Sequence, residues 1–496
     1  MFMNEATQIK VKYKVIPVLV SLLLGGFIGL LSETMMNVAL PVLMGKWGLT
    51  ASTAQWITTG YILVVSIIMP VSALLLQWFT TRQLFGTAIT LFIAGTLAAG
   101  FAPGFEILLV GRLIQAAGTA ILMPVIFNTV LTIIPPAKRG AAMGMVGLVM
   151  MVAPALGPTV SGLIIDKLSW QWMFWGLIPF LIIDLVIGLL NIENVGKITQ
   201  PKIDILSLVL STIAFGGIVY GLSSAGEGEG GWGSPVVIAS LGAGMVALVL
   251  FIWRQLTMKQ PVMNLRAFKY PMFTAGALFI VIGFLTIFST SYLLPIFMQG
   301  SLALSALYAG LLMLPAGLIN AVLSPIIGRS FDKAGPRVLV IPGVIILCAA
   351  MWMFTGISVD TPIYQIVLLH CCMTVGIALT LMPAQTNGLN QLPRELHPHG
   401  TAIMNTLQQL ASAVGTALIV SVMTSGQKDY LLAHTEATGQ ELAASSLAAG
   451  VHNAFILAAA ITVFGLIAGF FVRRSIIPGH HYSAEAVAGT KKKAAV

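Results

Sequence analysis

Glu33 is a carboxylate placed where the surrounding residues call for hydrocarbon. It stands in Gly29-Leu30-Leu31-Ser32-Glu33-Thr34-Met35-Met36-Asn37, inside an apolar run of more than 20 residues. A charge at the bilayer centre costs about 3 kcal/mol or more, so an intramembrane acid usually faces a partner or a water-filled path. Burial disfavours the ionised carboxylate and a nearby cation favours it, so a carboxyl that meets both in turn can take up and release a proton. The only basic residue inside an apolar run is Arg112. Counted from the near ends of their runs at 1.5 Å per residue, Arg112 lies roughly 9 Å and Glu33 roughly 12 Å below the same surface. Matched depth allows two outcomes, a permanent ion pair that only orders helices or a switchable proton site.

The elements that must carry these two residues are membrane spans. Of the 496 residues 57% are hydrophobic and 8% charged, with mean hydropathy +0.96, far from the roughly 25% charged residues of soluble domains. Fourteen stretches of about 20 apolar residues run between positions 16 and 472, each long enough to cross a bilayer. The fold class expected is an all-α polytopic membrane protein. An even count puts both termini on one side, and the basic residues sort accordingly: 21 of the 25 Lys and Arg fall on that side. Lys46, Lys167 and Lys428 fall opposite. The positive-inside rule makes the basic side cytoplasmic. The net charge of +9 is thereby explained by topology, and no nucleic-acid partner is expected.

Spans one to six and nine to fourteen form two sets of six. The expected units are an N-terminal six-helix bundle (1–195), an inserted two-helix hairpin (196–258), a C-terminal six-helix bundle (259–475) and a tail (476–496) ending near Lys491-Lys492-Lys493. Span six is read as one helix over 172–190 and span thirteen as 401–424. The Ala/Ser/Thr-rich stretch 425–450 is read as a short amphipathic or mobile loop. Paired six-helix halves are a common architecture for alternating access.

Three stretches carry a family resemblance. Leu31-Ser32-Glu33-Thr34-Met35-Met36-Asn37-Val38-Ala39-Leu40-Pro41 is similar to a first-helix motif, Gly111-Arg112-Leu113-Ile114-Gln115-Ala116-Ala117-Gly118 to a fourth-helix motif, and Ala153-Pro154-Ala155-Leu156-Gly157-Pro158-Thr159-Val160-Ser161-Gly162 to an antiporter motif. Together with fourteen spans they resemble the drug:proton antiporter type 2 family of the major facilitator superfamily, in its lincomycin-resistance-like group. The resemblance implies the major facilitator fold and export of hydrophobic or cationic drugs in exchange for protons, with Glu33 and Arg112 as the coupling residues. It implies no cofactor beyond the proton gradient; the partners are then small-molecule drugs, protons and the lipid bilayer, with the chain a monomer. The loop after span two departs from the family pattern and keeps clearly only Arg82, so a gating role passes to Asp332 and Arg337 in the better-kept second copy. Spans nine to fourteen carry no acid in their interiors, so coupling through a second-half carboxylate is not expected.

Cargo contacts are sought among intramembrane amides and aromatics. Asn37, Gln115, Asn320, Asn405 and Gln408 are candidates, with interhelical hydrogen bonding as the equal alternative for each. Trp56, Tyr61, Phe127, Tyr292 and Met404 can line an adaptable pocket, although ordinary core packing claims such positions more often. Gly157, Pro158 and Gly162 have no chemistry of their own; Pro removes a helix hydrogen bond and Gly allows close approach, which suits a kinked, tightly packed switching segment.

Other classes fare worse. His370-Cys371-Cys372 looks metal-like, but adjacent helical positions point around the axis rather than at one centre, so no metal is expected. No nucleophile with a base stands at matched depth, so no enzyme is expected, and the absence of a Gly-x4-Gly-Lys-Ser/Thr loop leaves ATP drive unsupported. A lipid or metabolite carrier on the same scaffold, or a passive channel, remains as the alternative function.

Overall fold

The computed structural model describes residues 15–49, 51–194, 198–199, 204–227, 231–304, 306–434 and 440–475. The lysine cluster of the tail lies outside them. Fourteen helical segments long and apolar enough to cross a membrane are present, and no strand occurs among the described residues. In chain order the helices are α1 (Val15–Trp47), α2 (Ala51–Trp78), α3 (Thr81–Gly100), α4 (Phe105–Ile133), α5 (Arg139–Lys167), the short α6 (Trp172–Trp175) and α7 (Ile178–Asn191), which together make the sixth segment, α8 (Ile205–Glu227) and α9 (Pro235–Thr257). The second half follows with α10 (Pro271–Ile296), α11 (Ala306–Ala334), α12 (Arg337–Phe354), α13 (Ile363–Gln391), α14 (His397–Ala433) and α15 (Gln440–Phe470). The end of the molecule that carries Val15 and Phe470 is called here the termini end, and the opposite end the far end.

Two expectations about helix extent change. Span six is broken into α6 and α7, because Pro179 brings no N–H and favours a helix start. The stretch 425–450 is mostly helix: α14 runs on to Ala433 and α15 starts at Gln440. Its Ala, Leu, Gln and Lys residues are strong helix formers with no proline among them, so nothing local stops the helix at the membrane surface. Residues 435–439 lie outside the described residues. The opposite signal works at Gly335, whose left-handed φ of +81° lets the chain leave α11 just before Pro336, a backbone shape that a side chain would strain.

In the first bundle α1 packs on α4, α5 and α7, while α3 packs on α4 and α7. In the second, α10 packs on α13, α14 and α15, and α12 on α13 and α15. The hairpin α8–α9 sits against α2 and α14, with the Trp232 indole donating to Ser421 Oγ at 2.8 Å. Its base is tied at the termini end, where Asp204 accepts from Arg254 Nε at 2.7 Å and Nη2 at 2.8 Å. The Arg254 hydrogen bonds, helped by Ser207, hold the Asp204 carboxyl down at about 2. Gln255 extends this lock by donating to Ser207 Oγ at 2.7 Å and accepting from Met263 N at 3.0 Å.

The bundles meet closely at the termini end through α5 and α11. A Cβ at Gly328 would lie 2.2 Å from the Gly140 carbonyl oxygen, and one at Gly144 would lie 2.5 Å from that of Ser324. Backbones that close leave no room for a larger residue, the arrangement that small residues permit in membrane helices. Polar contacts add to it. Asp332 Oδ1 and Oδ2 accept from Gly140 N at 2.8 Å and Ala141 N at 2.9 Å, so a carboxylate of one bundle caps the first turn of α5 in the other. Arg139 Nη1 donates to Asn390 Oδ1 at 2.8 Å, and Gln77 meets His399 at 3.3 Å.

Candidate functional site

Helix α1 runs through Glu33 without a break because its polar neighbours are satisfied locally. The Thr34 hydroxyl donates back to Leu30 O at 3.2 Å and Leu31 O at 3.1 Å. Ser32 is buried and Glu33 half-buried, the two facing differently around the helix. Thr34 also marks the crossing with α5, since a Cβ at Gly157 would meet its Oγ1 at 2.0 Å.

Arg112 comes to this level from α4 and is wholly buried. Its Nη1 donates to Gln115 Oε1 at 2.9 Å and to Ser32 Oγ at 3.2 Å. The guanidinium carbon lies 4.4 Å from the centre of the Tyr61 ring, a contact that strengthens where water is excluded. Tyr61 in turn hydrogen-bonds Thr119 Oγ1 at 2.6 Å, and Gln115 Nε2 donates to Thr96 Oγ1 at 2.8 Å. Four helices thus share one polar layer: Ser32 from α1, Tyr61 from α2, Thr96 from α3, and Arg112, Gln115 and Thr119 from α4. Gly95 and Gly111 let α3 and α4 come close enough for it; a Cβ on Gly95 would lie 2.5 Å from Gly111 O.

Glu33 and Arg112 do not form an ion pair within 4 Å; among the described residues that contact belongs to Arg254 and Asp204. Arg112 binds the residue beside the acid. Its Nε and Nη2 have no acceptor among the described residues. Buried donors without partners are rare and costly; the carboxyl one residue along α1 from Ser32 is an acceptor that arginine could engage in its favoured paired geometry. The arrangement is that of a cation held ready beside an acid it has not engaged.

The other sequence candidates divide. Gln115 and Tyr61 belong to the polar layer. Asn405 is buried with an Nδ2 that has no partner among the described residues, and Gln408 one turn on is half-buried. Asn320 spends its carbonyl locally, accepting from Ser324 Oγ at 2.7 Å. Phe127 and Met404 are sealed in helix crossings, Met404 with its Cε against Gly276 and Gly388, so packing explains both. Trp56 points to the hairpin, with its ring 5.6 Å from that of Tyr220. Tyr292 is half-buried in α10. Asn37 and Pro158 lie in α1 and α5, and their side chains fall outside the described residues.

Of the switching residues, Gly157 makes the tight crossing with α1, whereas Gly162 has no atom within 4 Å of its would-be Cβ. Asp332 spans the two bundles. Arg337 is exposed at the start of α12, and the guanidinium that reaches Asp332 is that of Arg474, donating from Nη2 to its backbone oxygen at 3.3 Å. The reason is local: the left-handed turn at Gly335 carries Arg337 out, while the segment after α15 folds back over the end of α11. Ser32, Thr96, Thr119 and Arg139 were not singled out as site residues from sequence. Single hydroxyls in apolar helices carry no signal of their own, but counting depth would have put Thr96 and Thr119 near Arg112.

Comparisons with known proteins agree with this architecture. The family model of the Major Facilitator Superfamily matches residues 22–416. The chain is 53% identical over 474 residues to the lincomycin resistance protein LmrB of Bacillus subtilis (strain 168), covering 96% of this chain and 99% of that protein. It is 52% identical over 464 residues to LmrB of Listeria monocytogenes serovar 1/2a, covering 94% and 98%. The crystal structure of the human organic anion transporter MFSD10 superposes with a TM-score of 0.65 at 13% identity, over 92% of this chain and 99% of that one. At that identity the likeness concerns the fold.

Proposed function

The chain belongs to the Major Facilitator Superfamily, among its fourteen-span transporters and not among enzymes, and we propose that it exports hydrophobic or cationic drugs in exchange for protons by alternating access. The observation that carries the coupling mechanism is the half-engaged pair: Arg112 keeps two buried donors free beside the half-buried Glu33. When Arg112 turns to the carboxylate, ionised Glu33 is favoured and its proton leaves; when it turns back to Ser32 and Gln115, the acid holds a proton. A cationic drug competes with that proton for the same charge, which gives exchange. Asn405, whose Nδ2 has no partner among the described residues, and Gln408 are the second-bundle contacts for cargo. Resistance to lincomycin in the names of the two LmrB proteins supports including a lincosamide among the cargoes. The positive-inside count supports cytoplasmic termini, and the bacterial relatives support a bacterial plasma membrane; with the termini end cytoplasmic, Asp332, Arg139 and the α5–α11 crossing close this conformation on that side.

The test is efflux from cells or vesicles over a small panel that includes lincomycin, with the pH gradient collapsed selectively. Loss of efflux on collapse supports antiport. Efflux that ignores the gradient would contradict it, and movement of lipids or metabolites but no drug would favour the alternative carrier.

A further inference from the structure

A second buried acid lies behind the site. Along the inner stripe of α7, Leu181, Asp184 and Gly188 are buried at intervals of three and four residues, so Asp184 faces the bundle and not lipid. It is fully buried, and neither carboxylate oxygen has a hydrogen-bond partner among the described residues. What surrounds it is α1, α3 and α4: a Cβ on Gly25 would lie 2.9 Å from Asp184 Oδ2, 2.9 Å from Ile89 and 3.0 Å from Leu122. Ile89 of α3 and Leu122 of α4 stand at the same spot, no charged group acts on the carboxyl, and Arg112 stands ten residues up α4, roughly 15 Å away. From α1 the nearest titratable group is Glu33, eight residues or roughly 12 Å up. An ionised carboxylate so placed would cost several kcal/mol, so the group is held as the neutral acid.

The spacing along α1 gives this acid a use. At Glu33 stands the first carboxyl. One turn down, Gly29 meets the Thr119 hydroxyl at 3.2 Å from its would-be Cβ, with Tyr61 bonded to that hydroxyl. Another turn down, Gly25 meets Asp184. One turn further stands Ser21, fully buried, its Oγ also without a partner among the described residues. Positions 33, 29, 25 and 21 form one i, i+4 row, with a protonatable or hydroxyl group at each turn of about 6 Å. A purely structural buried carboxyl would be hydrogen-bonded; this one is not.

We propose that Asp184 is a second proton-binding carboxyl, which relays the Glu33 proton to the termini side; this rests on Glu33 being the proton carrier. When the termini end opens, the Asp184 O–H bond breaks and water on that side takes the proton. The carboxylate left behind regains a proton from the Glu33 carboxyl through water and the Thr119 and Tyr61 hydroxyls, leaving Glu33 ionised beside Arg112. One proton crosses per cycle.

The test uses the full chain in proteoliposomes. Asp184→Asn keeps the shape and removes the titration. Drug counterflow, which needs no net proton movement, should stay within about twofold, while pH-gradient-driven efflux should fall at least about tenfold. Infrared spectra of the wild type at neutral pH should show a protonated-carboxyl band that Asp184→Asn removes. Gradient-driven efflux at the wild-type rate in Asp184→Asn overturns the relay, and if Glu33→Gln is inactive in the same assay the Glu33 reading survives. Should Asp184→Asn not fold, Ser21→Ala and the wild-type spectrum decide: no carboxyl band beyond one lost in Glu33→Gln overturns the proposal.

Discussion

Arg112 donates from Nη1 to Ser32 Oγ at 3.2 Å, one residue short of Glu33. The cation is thereby placed beside the acid and kept off it. Neither a permanent ion pair nor two independent charges would look like this, and the contacts on either side set what Arg112 and Tyr61 variants should do.

Arg112→Ala should reduce gradient-driven efflux by about tenfold or more, and Arg112→Lys should recover only part of it. Lysine keeps the charge but cannot donate to Ser32 and Gln115 in a planar fork while stacking on Tyr61. Normal proton-to-drug exchange in Arg112→Ala, read from pH changes during efflux, would remove Arg112 from the coupling.

Tyr61→Phe keeps the ring under the guanidinium and deletes the hydrogen bond to Thr119. A cost of about 1 kcal/mol in stability is expected, seen as a modest drop in thermal unfolding temperature, with drug binding retained. A large loss of binding would assign Tyr61 to cargo directly.

Asp332→Asn should weaken the cap on α5 and loosen the termini end. Caps of this kind are worth about 0.5–2 kcal/mol. In a background lacking Cys348, Cys371 and Cys372, a cysteine replacing the buried Thr386 should label several-fold faster from the termini side; an unchanged rate would mean that Asp332 does not hold that end shut.

Asp204→Asn should loosen the base of the α8–α9 hairpin while transport persists. Because Arg254 holds the folded carboxyl at about 2 against about 3.9 in an unfolded chain, its stabilisation is fully present above about pH 4 and fades as pH falls toward 2. Wild type and variant should therefore differ in thermal unfolding near neutrality and converge in acid; a constant difference down to pH 2 would contradict the assignment.

Much of the fold is legible in the sequence. Apolar length alone marks fourteen spans, because a bilayer demands that each backbone bond be satisfied within its own helix. What stops a helix at the membrane surface is less visible, which is why α14 and α15 extend into a stretch read as loop and why the break between α6 and α7 was passed over. The site was half legible. Glu33 and Arg112 stand out because charge in hydrocarbon is rare, and Tyr61 and Gln115 were named for their chemistry. Which neighbour Arg112 holds depends on a rotation of α1 that depth counting cannot supply, so Ser32 escaped notice. The family's loop motif implies Arg337 as the partner of Asp332, whereas the fold leaves Arg337 exposed and brings Arg474 there from the end of the last helix.

Glu33→Gln in sealed vesicles, with drug efflux followed while a pH gradient is imposed and then collapsed, tests the central claim most directly. The amide keeps the size and polarity of the side chain and removes its ability to exchange a proton. The account predicts a folded, drug-binding protein whose uphill, gradient-driven efflux is abolished. Full gradient-driven efflux by Glu33→Gln would contradict it.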